Sequence, residues 1–136
     1  MKRGLLLFAH GARDPRWALP FDDVARRVAG REPGVSVRLA FLEFMAPSLV
    51  DAGHALAAEG CARVDVVPLF LGAGGHVRKD LPALLEELRV AHPEVQWQLQ
   101  RAIGEIDSVV DAMALAAATL LHADADTDTD TRTAAA

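Results

Sequence analysis

Short apolar runs alternate with amphipathic segments along the chain, and this alternation predicts four strands that each precede a helix. The strands are predicted at 4–9, 35–44, 63–71 and 95–99. The first and third are almost continuously apolar and are followed at once by His10 and Gly72, which is typical of strands buried in a parallel sheet. The fourth is more polar, with Trp97 and Leu99 on one side, which favours an edge position.

Apolar residues recur at helical spacing in the four segments that follow these strands. The stripes are Phe21, Val24, Ala25 and Val28; Leu49, Val50, Gly53, Leu56 and Ala57; Leu81, Leu84, Leu85 and Leu88; and Val109, Val110, Met113, Ala117, Leu120 and Leu121. We assign all four stripes to the core. The third helix is predicted to begin at Arg78, and the last is predicted to open at Gly104.

A strand followed by a helix, repeated four times, predicts a single α/β domain. Right-handed crossovers place the helices on both faces of a four-stranded parallel sheet, which gives three α/β/α layers. The natural strand order is 2-1-3-4. The domain is predicted to span 1–122. Residues 123–136, which are Ala, Asp and Thr with a single Arg, are predicted to form a disordered tail because they offer too little apolar surface to offset the entropy of ordering.

Two histidines and a carboxylate stand where three of the predicted strands end. His10 follows the first strand, Glu43 lies near the end of the second, and His76 follows the third in a glycine-rich loop. In a 2-1-3-4 sheet the topological switch point, where ligands bind, lies between strands one and three. His10 and His76 are therefore predicted to face each other, with Glu43 next to His10. Such a group can bind a divalent transition metal and can transfer protons near neutral pH.

Basic residues gather at the same predicted edge, although the formal net charge of the chain is -5 at pH 7. They are Arg13, Arg16, Arg78 and Lys79. Arginine pairs well with carboxylates and phosphates, so an anionic ligand is expected there, while each of these residues taken alone also fits a solvated surface. Gly11, Gly74 and Gly75 are predicted to let a flat ligand approach the backbone.

Overall charge and composition narrow the classes of partner. The negative net charge argues against general nucleic-acid binding. No apolar run approaches the roughly 20 residues of a membrane span, so no membrane partner is expected. The single cysteine, Cys61, excludes a disulfide within the chain. A chain without disulfides suits a reducing compartment, and we expect a cytoplasmic location.

Three blocks of sequence surround the candidate residues: LFAHGARDP at 7–15, FLEFMAPSL at 41–49 and VPLFLGAGGHVRKD at 67–80. Together, and in this order, they resemble the short form of the CbiX family of sirohydrochlorin chelatases, within the class II tetrapyrrole chelatases. The resemblance covers roughly 4–122. Ala12 is a departure, because a serine usually follows the His-Gly pair in the family. This change removes a hydroxyl contact but no metal ligand.

The resemblance implies insertion of Co²⁺ or Fe²⁺, or Ni²⁺ in some members, into sirohydrochlorin without ATP and without a permanently bound cofactor. The product would feed cobalamin, sirohaem or a nickel tetrapyrrole. Carried over by motif, His10 and His76 bind the metal and accept protons, and Glu43 assists. The residues expected to contact the tetrapyrrole are Arg13, Arg16, Gly74, Gly75, Arg78 and Lys79. A chain of this length is similar to half of the longer two-domain relatives and is expected to form a homodimer.

Three other interpretations remain open at this point. A metal or tetrapyrrole carrier could use the same residues without turnover. A histidine phosphatase is a weaker hypothesis, because those enzymes use an Arg-His-Gly motif and Ala9 stands here in place of the arginine. A structural α/β subunit would have no active site at all.

Overall fold

Strands and helices alternate along the chain as the pattern predicts. The structure, a computed structural model, describes residues 1–72 and 74–123, with only the backbone described at 75, 76 and 78. The strands are β1 (Arg3–Ala9), β2 (Val35–Phe41), β3 (Arg63–Pro68) and β4 (Gln96–Leu99). The α-helices are α1 (Leu19–Arg31), α2 (Leu49–Ala58), α3 (Gly75–Ala91) and α4 (Asp107–His122), and 3-10 turns precede α1 and α4 at Pro15–Ala18 and Ile103–Glu105. The predicted tail at 123–136 lies outside the described residues, apart from Ala123.

The four strands form one parallel sheet in the order β2-β1-β3-β4, which confirms the predicted topology. β1 is central, since Leu7 pairs with Leu39 of β2 on one side and with Val67 of β3 on the other. β4 pairs with β3 and lies at the edge, as its polar sequence indicates. The C-terminal ends of β1, β2 and β3 therefore meet at one edge of the sheet.

The main core lies between one face of the sheet and helices α2 and α3. Its fully buried members include Leu6, Phe8, Leu49, Leu56, Val64, Val66, Leu85 and Leu88. The helices approach closely at Gly53, where a Cβ atom would stand 2.6 Å from the Leu88 methyl groups. Burial of these side chains supplies most of the hydrophobic stabilisation of the fold.

The opposite face of the sheet is only partly covered. Helix α1 packs beside β2, and a groove of about 630 Å³ runs between α1 and the start of α4 over β1 and β3. Leu5, Leu7, Val28 and Val67 are among the apolar side chains that line it. The prediction that the α1 stripe is core is therefore only partly correct, because Val24 remains exposed.

The assignment of the α4 stripe to the core is wrong from Val110 onward, whereas Val109 is half-buried and lines the groove. Every residue from 110 to 122 is exposed, and Leu115, Leu120 and Leu121 are 67%, 70% and 70% exposed. Helix α4 makes its main contact with the 3-10 turn before it. No element of the described chain covers its apolar side chains. None of the described helices is long and apolar enough to cross a bilayer.

Two predicted strands are too long. β2 ends at Phe41 rather than at residue 44, because Phe44 has a φ of 66°, which is incompatible with an extended strand. β3 ends at Pro68 rather than at residue 71. The Leu69 amide still donates to the Phe8 carbonyl of β1 at 2.7 Å, and the next carbonyl, that of Phe70, accepts a hydrogen bond from the amide of Gly104 at 3.0 Å. Gly104 thus lies in the 3-10 turn before α4, rather than opening the helix.

Candidate active site

His10 follows the last residue of the central strand, so its backbone is fixed by neighbours on both sides. Its imidazole lies edge-on to the ring of Phe70, with 6.3 Å between ring centroids. Phe70 is buried and packs in turn against Phe8 in the core. One side of the histidine therefore contacts a rigid apolar wall, while 44% of its side chain remains exposed to solvent or a ligand.

Glu43 lies next to His10, as predicted from the strand order. Its Oε1 atom is 3.2 Å from His10 Nε2, and 49% of its side chain is exposed. The backbones are joined as well, because the Glu43 amide donates to the His10 carbonyl at 3.1 Å and the Leu42 amide donates to Ala9 at 2.9 Å. The segment after β2 thus continues alongside β1 and brings the Glu43 carboxylate within hydrogen-bonding distance of the His10 imidazole.

Gly11 has a structural role that was not predicted. It has a φ of 95°, a conformation that residues with a side chain rarely adopt. A Cβ atom at this position would overlap the carbonyl oxygen of Glu43. The space that a side chain at position 11 would need is therefore occupied by the backbone that carries Glu43.

The prediction that His76 lies in a glycine-rich loop is wrong. Its backbone belongs to the first turn of α3, which begins at Gly75 rather than at Arg78 because the extended Gly74 acts as the N-cap. The residue nevertheless follows β3 at the same edge of the sheet as His10. The side chains of His76 and Arg78 are outside the described residues, so their contacts with a metal or ligand remain predictions.

The basic residues at this edge differ in the contacts that their side chains make. Arg16 is paired with Asp14, whose carboxylate accepts hydrogen bonds from the Arg16 guanidinium at 2.8 Å and from its amide at 2.9 Å. These hydrogen bonds lower the pKa of Asp14 and raise the pKa of Arg16. Arg13 lies over the ring of Phe44 at 4.8 Å. Lys79 is exposed on α3.

Phe44 is the residue at this site that sequence reasoning missed. Its side chain is 57% exposed, directly after Glu43. The available signal was a large aromatic residue inside the block 41–49, which we assigned to the end of a strand. Because its φ is positive, the residue departs from the extended strand, and its ring lies under the Arg13 guanidinium, one position after Glu43.

The donor atoms suit a divalent transition metal, which accepts imidazole nitrogen and carboxylate oxygen. Among the side chains that the structure describes, no three His, Cys, Asp or Glu residues converge as a metal site. His10 and Glu43 supply two donors, and the predicted third, His76, is outside that set. His54 and His92 contact each other at 2.7 Å elsewhere in the fold.

Comparison with known proteins shows which family the chain belongs to. The model of the CbiX family matches residues 4–119. The chain belongs to the CbiX family. This CbiX chain is 38% identical over 88 residues to the sirohydrochlorin cobaltochelatase of Sulfurisphaera tokodaii, across 63% of the chain and 70% of that relative. It is 33% identical over 84 residues to that of Methanosarcina acetivorans, across 62% of the chain and 65% of the relative. The matched stretch therefore spans about two thirds of these relatives.

Solved structures show the same fold. The CbiX protein from Marinobacter aquaeolei VT8 is 32% identical and superposes with a TM-score of 0.77, over 88% of this CbiX chain and 97% of that one. The sirohydrochlorin chelatase SirB from Bacillus subtilis subspecies spizizenii, solved in complex with cobalt, has a TM-score of 0.73 at 23% identity. This match covers 82% of the CbiX chain and 48% of SirB, so the chain corresponds in fold to about half of SirB.

Proposed function

We propose that this protein inserts a divalent metal ion, Co²⁺ or Fe²⁺, into sirohydrochlorin without ATP, in cobalamin or sirohaem biosynthesis. The observation that carries the proposal is the 3.2 Å contact between His10 Nε2 and Glu43 Oε1 at the C-terminal edge of the sheet. It occurs in a chain of the CbiX family that is similar to sirohydrochlorin cobaltochelatases. The metal, with Ni²⁺ as a further candidate, is a substrate, and no resident cofactor is proposed.

Metal insertion replaces two protons on the ring nitrogens and removes water from the metal ion. His10 Nε2 and the Glu43 carboxylate offer the incoming ion one nitrogen and one oxygen ligand at a half-exposed position. His76 would supply a third ligand from the first turn of α3. As the metal moves to the ring nitrogens, the freed carboxylate of Glu43 and an imidazole would accept the two protons that the ring nitrogens lose.

Sirohydrochlorin carries eight carboxylates, and the edge of the sheet offers positive charge to meet them. Arg13 and Lys79 are exposed, and the N-terminus of α3 adds backbone N–H groups at Gly74 and Gly75 that favour anions. Arg16 can join them by exchanging its partner Asp14 for a substrate carboxylate. Arg78 is proposed to contribute from the same turn of α3.

Metal insertion assayed by absorbance tests the proposal directly. Purified protein, metal-free sirohydrochlorin and Co²⁺, Fe²⁺ or Ni²⁺ are mixed under anaerobic conditions and compared with the reaction without protein. We expect multiple turnovers, and a loss of roughly 100-fold or more in His10→Ala, His76→Ala and Glu43→Gln, since each removes a ligand or proton acceptor. His54→Ala is the matched control, because His54 contacts His92 at the opposite end of α3.

Two other outcomes would contradict the proposal. Stoichiometric binding of metal or sirohydrochlorin without turnover above the spontaneous rate would favour a carrier. Equal rates in wild type and the His10→Ala and His76→Ala variants would favour a protein without an active site. Phosphatase chemistry has no support at position 9, because Ala9 is fully buried and offers no guanidinium group.

We also propose that the protein acts as a homodimer through α4. This helix has 16 residues, and the exposed leucines at 115, 120 and 121 lie on it. A lone helix of this length gains most of its stability from packing, so an uncovered apolar helix needs a partner. The groove over β1 and β3 is likewise lined by apolar side chains, and no element among the described residues covers it. Reciprocal docking of α4 into the groove of a second copy would satisfy both surfaces in a closed two-fold dimer.

Two further assignments follow from the same features. We propose residues 1–122 as the chelatase domain, because α4 ends at His122 and the family match ends at residue 119. The residues from 123 onward are proposed as a tail that metal insertion does not require, so a chain ending at residue 122 should retain full activity. A cytoplasmic location is proposed because the single thiol, Cys61, is suited to a reducing compartment.

A further inference from the structure

Phe44 combines two features that folding alone does not favour. Its φ of 66° lies in the left-handed region, where a bulky aromatic residue is an outlier. Its side chain is 57% exposed, so the burial of its ring offsets little of the free-energy cost of that conformation. Backbone strain of this kind persists where the surroundings impose it, and it concentrates at functional sites.

The surroundings of Phe44 impose the conformation from both sides. On one side, the amide of Glu43 is fixed by its hydrogen bond to the His10 carbonyl. On the other, the Phe41 amide donates to the Pro47 carbonyl at 2.9 Å, which closes the segment 41–47 into a compact loop. The ring of Phe44 is therefore held outside the core, next in sequence to the carboxylate that contacts His10.

Arg13 completes this part of the rim. Its guanidinium carbon lies 4.8 Å from the centroid of the Phe44 ring, which is a cation–π contact that orients both side chains. An aromatic ring and a guanidinium group side by side match a ligand that has a flat conjugated body and carboxylates at its periphery. A hydrated metal ion alone has no flat apolar surface that could stack on an exposed aromatic ring.

We propose that Phe44, oriented by Arg13, is the platform on which the flat face of the tetrapyrrole stacks at the mouth of the active site. The inference rests on the proposed function. It assigns recognition of the macrocycle to Phe44 and recognition of the metal to His10 and Glu43. Removal of the aromatic ring should therefore weaken binding of the tetrapyrrole and leave binding of the metal unchanged.

Steady-state insertion kinetics on four Phe44 variants test this assignment. We expect Phe44→Leu and Phe44→Gly to raise the KM for sirohydrochlorin roughly tenfold and to leave the KM for Co²⁺ unchanged, while Phe44→Trp and Phe44→Tyr remain near wild type. Because glycine accepts a positive φ, Phe44→Gly should also unfold at an equal or higher temperature than wild type. Val90→Ala, which removes an exposed side chain on α3, is the control for both measurements.

The results separate this inference from the proposed function. An unchanged KM for sirohydrochlorin in Phe44→Leu, or a marked loss of thermal stability in Phe44→Gly, would overturn the platform. If wild type shows no turnover, the proposed function fails, and titration of metal-free sirohydrochlorin by absorbance still decides the platform. In that titration, binding weakened about tenfold in Phe44→Leu supports it, and equal binding by both proteins overturns it.

Discussion

The backbone of Gly11 passes so close to Glu43 that a Cβ atom on the glycine would overlap the Glu43 carbonyl oxygen. The same stretch carries His10, whose carbonyl accepts the Glu43 amide hydrogen bond. A glycine thus sets the distance between the two segments that hold the candidate metal ligands. The smallest residue at the edge of the sheet thus determines the geometry of the site through its backbone alone.

Gly11→Ala is therefore expected to displace Glu43 and to lower the rate of metal insertion by roughly 100-fold, since a shift of about 1 Å at a catalytic group has effects of that size. Insertion of Co²⁺ into sirohydrochlorin measures the change. Gly30→Ala is the matched control, because nothing lies within 4 Å of a Cβ atom at Gly30. Wild-type activity in Gly11→Ala would show that the close approach is not required.

Asp65 makes stability depend on pH in the acid range. It is 8% exposed on β3 and accepts hydrogen bonds from Arg63, Gln100 and Arg3. Burial raises its pKa, but these hydrogen bonds outweigh burial and lower the pKa from 3.8 to about 2. A carboxyl whose pKa is lower in the folded protein stabilises the fold fully above its ordinary pKa, and this stabilisation is lost as the pH falls through the folded value.

Unfolding measured between pH 2 and pH 7 tests this contribution. At pH 7 the free energy of unfolding of Asp65→Asn should be roughly 2 kcal/mol lower than that of wild type. This difference should shrink as the pH falls from about 4 to 2. Asp51→Asn, on the exposed side of α2, should follow the wild-type curve. A difference between Asp65→Asn and wild type that is constant with pH would contradict the assignment.

The contact between α2 and α3 depends on Gly53. A Cβ atom there would stand 2.6 Å from both methyl groups of Leu88, which is fully buried and has little room to move. Gly53→Ala is expected to lower the free energy of unfolding by about 1–3 kcal/mol, the usual cost of overpacking a core. Combining Gly53→Ala with Leu88→Ala should cost less than the sum of the single changes in urea unfolding. Additive losses would show that the clash is relieved elsewhere.

The oligomeric state tests the role proposed for α4. Light scattering after size exclusion should give a dimer for wild type, and Leu121→Glu should shift it toward monomer because the charge cannot be buried in the groove. Val90→Glu places the same charge on exposed α3 and should remain dimeric. A wild-type monomer at micromolar concentration would contradict the dimer.

Disulfide formation shows whether the groove binds α4 of a second copy or α4 of the same chain. Val24→Cys places a thiol in the groove wall, and Leu120→Cys places one on α4. Because Cys61 is buried, the new thiols should react selectively. Oxidation of a mixture of the two single variants should yield a cross-linked pair of chains. A cross-link formed solely within a chain that carries both changes would show that α4 folds onto its own groove.

The topology was predictable because its signals are local. An apolar run such as 4–9 indicates a buried strand by itself, and right-handed crossovers then restrict the order of the strands. The proximity of His10 and Glu43 followed from that order, since neighbouring parallel strands end together. The start of α3 was misplaced by three residues because a glycine N-cap, here Gly74, looks like the rest of a glycine-rich loop.

Other features depend on parts of the chain that are far apart in sequence. The periodicity of α4 shows that one side of the helix is apolar. It does not show whether another part of the chain packs against that side. The role of Gly11 depends on the approach of Glu43, which is 32 residues away in the chain. The exposure of Phe44 depends on a single backbone angle, which an apolar residue in an apolar block gives no reason to expect.

The position of Cys61 has a consequence for how metal ions pass through this protein. Its thiol is 2% exposed, and burial raises its pKa, so no thiolate is presented to solvent. Thiolate is the softest ligand among protein side chains and would retain Co²⁺, Ni²⁺ or Zn²⁺ strongly. With the sulfur enclosed beside Gly4, the ion in the proposed reaction would meet imidazole and carboxylate groups, which exchange metal more readily than a thiolate does. The buried thiol would then not compete with the macrocycle for the metal.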